Sequence, residues 1–427
     1  MIAGGRRVAA LVGSEKAMFV LVNVAVNLFL LLRSYVTMQV LDYRGLGLAA
    51  LLQSIVLLLG MMQFGVLNGG FRLMCAAEGE EARRINNLVY SFLLAVTALG
   101  FVAALAWLPF AEDDAAASVG LLGVLGGAAT LARTWVTNQM VAHAKLKLTN
   151  LLNLIAGAAS AAVLLAIPID PLQACLWAVV AQPVVFVVGA ALLDRDLFPS
   201  RLEISPGLFR MVMHAGFVTF LTGLFLQLNL QLERWYVTGA LGVEALGRLY
   251  LAILFVTLFQ MVPTSLDQIF LPAAVKAHVG GDERGVARGL QRYAWIAAAY
   301  CALGLLAVYA LGEPVMRLIL PDYVRDLRFV YILAPGLAVF TLSAPFALLF
   351  NVLIRYRFYF IAYGAGSAAT AALFGWAILT PGTLSLEDVT IIRSAVYVLI
   401  AAVLMWGFVS VSRDMPGVRP RLLPARS

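Results

Sequence analysis

Long apolar runs separated by short polar breaks dominate this chain. Taken in order, apolar stretches of about 20 residues or more lie at roughly 18–40, 46–66, 86–110, 118–141, 150–168, 172–193, 211–235, 247–272, 290–311, 328–353, 358–380 and 388–411. A helix of about 20 residues crosses a hydrocarbon core of ~30 Å. Backbone groups in lipid must pair within their own segment, so the pattern predicts twelve transmembrane helices rather than strands.

Composition agrees with that pattern. Hydrophobic residues make up 62% and charged residues 12% of the 427, and the mean hydropathy is +0.92. Polar surface is too scarce to cover a soluble globule. Cys75, Cys175 and Cys301 are far apart, with no disulfide framework or metal spacing, and read as packing residues. His143, His214 and His278 are equally scattered. The first apolar run is too long for a cleaved leader and predicts a retained helix.

Charge fixes an orientation. With the N-terminus inside, the outer loops receive Arg44, Arg234, Arg248, Arg317, Arg325 and Arg328, while Arg33, Arg133 and Arg393 fall within spans. The other 21 of the 30 Lys and Arg lie in the cytoplasm. Such an excess marks the cytoplasmic side. Both termini are therefore expected inside a bacterial-type inner membrane. The formal charge of +7 reflects this bias and the basic tail "RDMPGVRPRLLPARS" near anionic lipid, not a nucleic-acid partner.

The chain also repeats itself. "LDYRGLGLAALLQSIVLLLGMMQFGVLNGGF" from Leu41 aligns with "VEALGRLYLAILFVTLFQMVPTSLDQIFLPA" from Val243 at an offset of 202, setting Asp42 on Glu244, Gly45 on Gly247 and Ala50 on Ala252. The same offset lays the first segment over the seventh. Two six-helix bundles related about the membrane normal are expected, with a central cavity between them. The divisions are 1–194, a cytoplasmic linker at 195–210, 211–412, and a basic tail at 413–427.

Polar residues inside the spans carry the candidate chemistry. Thr219, Gly223, Gln227, Gln231 and Arg234 or Trp235 share one face of the seventh segment. Asn23, Asn27 and Ser34 form a comparable face in the first, with Arg33 beside it. Amides so placed either bond neighbouring helices or contact sugar in a cavity. A charge within a span is expensive to insert and faces protein or water. Arg33 and Arg234, one position apart after the 202-residue shift, could receive the oxygens of a diphosphate, or could serve as structural clamps. Arg133 offers the same choice. Glu233 is either a coupling acid for H+ or Na+ or the fixed partner of Arg234. Asp267 reads as an interfacial residue. Pro183, Pro263, Pro335 and Pro345 invite kinks.

These stretches resemble a known family. "DYRGLGLAALLQSIVLLLGMMQFGVLNGGFRLM" and "LERWYVTGALGVEALGRLYLAILFVTLFQMVPTSLDQIFLPAA" are similar to the Wzx-type oligosaccharide flippases of the multidrug/oligosaccharidyl-lipid/polysaccharide (MOP) exporter superfamily. The shared features are an acid and Arg closing the seventh helix (Glu233, Arg234), a Gly-x-x-Tyr entering the eighth (Gly247, Tyr250) and Pro272 at its exit. The family usually has Asp where this chain has Glu233. The resemblance implies alternating access for a polyprenyl-diphosphate-linked oligosaccharide, no cofactor, and work beside a polysaccharide polymerase and chain-length machinery. Three other readings compete. They are a cation-coupled drug antiporter of the same superfamily, a lipid II flippase, and an integral-membrane glycosyltransferase or ligase. The last would need a sizeable outer loop, and the longest expected here runs only from about Gly312 to Leu327.

Overall fold

The computed structural model describes residues 15–111, 113–380, 382 and 384–412. The basic tail at 413–427 lies outside the described residues. The described chain is helical, without a strand. In order it forms α1 (Glu15–Val40), α2 (Tyr43–Met61), α3 (Val66–Met74), α4 (Gly79–Trp107), α5 (Asp114–Ala142), α6 (Leu146–Ala162), α7 (Pro171–Leu193) and α8 (Pro206–Tyr236). It continues with α9 (Val243–Arg248), α10 (Tyr250–Val279), α11 (Glu283–Ile319), α12 (Leu327–Leu342), α13 (Ala344–Val352), α14 (Arg357–Leu379) and α15 (Leu386–Ser412).

All twelve apolar segments of the sequence fall on these helices. Ten described helices are long and apolar enough to cross a membrane. The broken stretch through Pro206–Leu221 and Gly223–Leu241 supplies another. The first predicted segment falls on α1, where the structure has a shorter apolar stretch, Val24–Val40. α12 and α13 form one span broken at Ser343, with Pro345 in the first turn of the second piece. Two short helices, α3 and α9, were not legible as spans. The outer loop expected from Gly312 to Leu327 is instead mostly helix: α11 runs on to Ile319 and a 3-10 turn covers Pro321–Asp326.

Contacts divide the chain into Met1–Leu221 and Thr222–Ser427. In the first unit α5 packs on α2 and α7, and α6 on α7. In the second α12 packs on α10 and α15, and α14 on α15. These are equivalent neighbours in the two units.

The division falls inside α8 rather than at the expected linker, and the first unit shows why. Linker residues are tied down beneath it: Gln139 donates to the Leu197 carbonyl at 2.8 Å, and the Ser200 amide donates to Asn87 at 3.1 Å. Asn86 in turn accepts from the fully buried Trp135 at 2.8 Å. The start of α8 follows because α3 and α8 meet backbone to backbone. A side chain on Gly69 would strike Val212, and one on Gly216 would strike Gly65 and Gly69. Gly65 also has φ +89°, a conformation that glycine adopts freely. Arg72 of α3 closes the contact by donating to the Ala215 carbonyl and to Thr219, each at 3.0 Å.

Ion pairs join residues that the charge bias puts on the same side. Arg44 pairs with Asp113 at 2.5 Å, and Arg328 with Glu387 at 2.5 Å, all expected outside. Lys145 pairs with Asp194 at 2.6 Å, and Arg84 with Glu203 at 3.1 Å, all expected inside. The Ala116 amide, with help from Arg44, holds the Asp113 carboxyl below its ordinary range.

Candidate functional site

The second part of α8, "LQLNLQLERWY", places two polar rows on one helix. Residues three, four and seven apart share a face, so Asn229, Glu233 and Tyr236 fall together, roughly opposite Gln227, Gln231 and Arg234. The first row packs on α14 and α15. Ser367 donates to the Phe225 carbonyl at 2.8 Å and Thr370 to Asn229 Oδ1 at 3.1 Å. Tyr236 stacks on Phe374 with ring centroids 4.7 Å apart. Gly366 permits the approach, because a Cβ there would come within 2.9 Å of Asn229 Nδ2.

Arg393 of α15 completes this cluster. Only 4% exposed, it donates to the backbone carbonyl of Asn229, to Asn229 Oδ1 at 3.3 Å and to the Tyr397 hydroxyl at 3.0 Å. Its guanidinium also lies 4.5 Å from the Tyr397 ring centre. Its Nε reaches Glu233 Oε2 at 3.5 Å. Thus Glu233 pairs with Arg393 and not with adjacent Arg234, because neighbouring helical residues point about 100° apart.

Arg234 is left in a different position. It lies within electrostatic reach of Glu233, Arg393, Tyr250 and Tyr397. Its Nη1 is buried without a hydrogen-bond partner, and so is Oε1 of Gln227 two helical turns earlier. Gln231, between them, is fully buried. A buried polar atom without a partner costs about 1–3 kcal/mol, more for a charged group, and invites a ligand that satisfies it. Two guanidiniums against one carboxylate leave the cluster with an excess positive charge, suited to an anion.

The first unit holds its two intramembrane arginines differently. Arg33 Nη1 donates to Ser160 Oγ at 3.2 Å and to the Ala178 carbonyl at 3.3 Å, linking α1 to α6 and α7. Arg133 donates to Asn153 at 2.8 Å and lies 5.2 Å from the Phe186 ring centre. Asn27 is half-buried on α1. Asn23 belongs to the same helix, but its side chain lies outside the described residues. The structure therefore brings Asn229 and Glu233 to Arg393 with Arg234 in electrostatic reach, and keeps Gln227 and Gln231 on the other face of α8. It gives Arg33 and Arg133 interhelical partners within their own unit.

Sequence reasoning placed Arg393 inside a span but gave it no role. Its signal was the same as that of Arg33, a charge in an otherwise apolar run. Nothing along the chain revealed that its partners, Asn229 and Glu233, lay on α8.

No family model matches the chain, and no curated protein matches it. Solved structures do. An inward-facing multidrug resistance MATE family transporter of the MOP superfamily aligns over 91% of this chain and 96% of its own, at 13% identity and a TM-score of 0.73. The lipid II flippase MurJ, in an inward closed conformation, aligns over 92% and 90% at 9% identity and 0.64. A MOP superfamily transporter from Pyrococcus furiosus, described as having a binding pocket of reverse polarity, aligns over 94% and 97% at 13% identity and 0.60. At these identities the likeness is one of fold: the chain is a multi-pass membrane protein with the fold of MOP superfamily transporters.

Proposed function

We propose that the protein is a flippase, not an enzyme, that carries a polyprenyl-diphosphate-linked oligosaccharide from the cytoplasmic to the outer leaflet of an inner membrane for surface polysaccharide synthesis. The observation that carries this reading is the buried excess of positive charge on α8: Arg234, with an unpartnered nitrogen, beside the Glu233–Arg393 pair. A planar guanidinium offers paired donors to phosphate oxygens leaving water. Gln227, with its unpartnered oxygen, and Gln231 continue the same face and suit sugar hydroxyls. An inside-negative potential favours outward movement of an anion by about 2.3 kcal/mol per charge per 100 mV. The likeness to MurJ, a lipid II flippase, supports the class of cargo.

A cation-coupled drug antiporter is the second reading, favoured by the MATE likeness and by the half-buried acid Asp267 on α10. A gene deletion separates the two. Loss of surface glycan with unchanged drug susceptibility supports the flippase, and the reverse result supports the antiporter. In the complemented strain Arg234→Gln should reduce glycan at least tenfold at unchanged membrane level. Normal glycan from that variant removes Arg234 from the site.

A further inference from the structure

α10 contains an unusual local problem. Pro263 lacks an N–H, so the Phe259 carbonyl one turn earlier loses its helical partner. The hydroxyl of Tyr300 on α11 replaces it, donating at 3.1 Å. Two helical turns away on α11, Tyr293 points its hydroxyl at the same kink. It lies 3.2 Å from the Pro263 carbonyl and 2.9 Å from Oδ1 of Asp267. Tyr293 is fully buried and stacks on Phe270 with centroids 5.1 Å apart.

A phenol has one proton for these two acceptors. While Asp267 is a carboxylate it attracts that proton, because a charged acceptor makes the stronger bond. A neutral Asp267 would carry a proton of its own and donate it to Tyr293 Oη. The phenolic hydrogen would then turn to the Pro263 carbonyl. One proton enters from water, and only hydrogen bonds exchange.

Asp267 is well placed for such a change. It lies half-buried on α10, 12 residues before the helix ends at Val279, or about 18 Å along the axis. Among the described residues it has no ion pair. On α11 the facing groups are Tyr293 and Tyr300, while Arg284, Arg288 and Arg292 are exposed. From α14 come Tyr359 and Tyr363, stacked at 5.7 Å. The neighbouring α13 contains no ionisable residue and contributes Asn351, which donates to Tyr359 at 2.9 Å. On α12 the one charged residue, Arg328, is committed to Glu387. On α10 itself Lys276 and His278 lie in the last turn. In the 3-10 turn before α12, the charged residues Asp322, Arg325 and Asp326 precede Arg328 in sequence, and on α9 Glu244 and Arg248 precede Tyr250 at the opposite end of α10.

We infer that Asp267 is a proton-binding site whose occupancy, relayed through Tyr293, sets the hold on the α10 kink at Pro263. It rests on the transporter reading only for its purpose, to couple a proton to movement; the site itself can be tested without any cargo. Infrared difference spectra of the full chain in lipid nanodiscs, taken between about pH 4 and pH 9, cover ordinary and desolvated carboxyls. Subtracting the Asp267→Asn spectrum from that of wild type removes the carboxyls common to both and should leave one protonated-carboxyl band, left also by the same subtraction in a Glu233→Gln background and moved to higher wavenumber in a Tyr293→Phe background. Asp267→Glu, the milder change, should keep a band at a displaced midpoint. A subtracted spectrum without that band overturns the site. A band unmoved by Tyr293→Phe overturns the relay. Neither result depends on whether glycan is exported, so a failed flippase assay would leave this test intact.

Discussion

Glu233 on α8 and Arg393 on α15 form an ion pair at 3.5 Å, with side chains only 12% and 4% exposed. Placing two such charges out of water is expensive, and their attraction offsets that cost only when the remaining donors are satisfied. Here Asn229 and Tyr397 take up the rest of the Arg393 guanidinium. A cation already fixed on Glu233 argues against that carboxylate as the carrier of a transported proton or sodium ion.

Removing Arg393 should therefore strand a buried carboxylate. Arg393→Met is expected to destabilise the protein by about 3–5 kcal/mol, read as thermal unfolding in detergent. Adding Glu233→Gln should restore part of the loss. If the double variant is as unstable as the sum of the singles, the pair is not coupled.

Gly216 should tolerate no side chain. Its Cβ would strike the backbone of Gly65 and Gly69 where α8 meets α3. Gly216→Ala is expected to cost at least ~1–3 kcal/mol, the range for overpacking. Gly375 on α14 has open space around its Cβ position, so Gly375→Ala should gain about 0.5–1 kcal/mol. Equal melting temperatures for the two variants would refute the close approach.

The charge bias and the ion pairs make a joint prediction of sidedness. Reporter fusions at Leu197 and Gly280 should read as cytoplasmic, and fusions at Asp114 and Gly382 as external. An external signal at Gly280 would break the arrangement of two six-span halves.

The twelve spans were legible because lipid imposes one simple rule, a long apolar run, and this chain follows it even where Pro183 or Pro263 interrupts the pattern. α3 was not legible. "VLNGGFRLM" is short and broken by Asn68, two glycines and Arg72, and its place is set by Gly216, far away in the sequence. The candidate site was half legible. Local spacing put Gln227, Gln231 and Arg234 on one face, but it could not show that Asn229 and Glu233 turn away from that face to meet α14 and α15. Long-range pairing also determined the role of Arg393. In each of these cases periodicity described one helix, while the missing fact was which second helix lay against it.

Arg33 supplies the sharpest test of that distinction. Sequence made it a candidate for the substrate diphosphate, and the structure ties Nη1 to Ser160 Oγ and the Ala178 carbonyl, while Ser160 itself donates to Ala178 at 2.5 Å. Three helices thus share one hydrogen-bonded knot. A clamp of this kind stabilises the fold whether or not cargo is present. Residues sharing one network give non-additive effects, so Arg33→Ala and Ser160→Ala should each lower the melting temperature, and the double variant should lose less than the two added together. Surface glycan per folded molecule should then survive Arg33→Lys, because an ammonium keeps the charge and a donor for Ser160. If the guanidinium instead grips a diphosphate as a planar fork, lysine cannot replace it. The melting temperature of Arg33→Lys would then stay near wild type while glycan per molecule fell to the Arg33→Ala level. That outcome would move Arg33 from the packing of the first unit to the cargo.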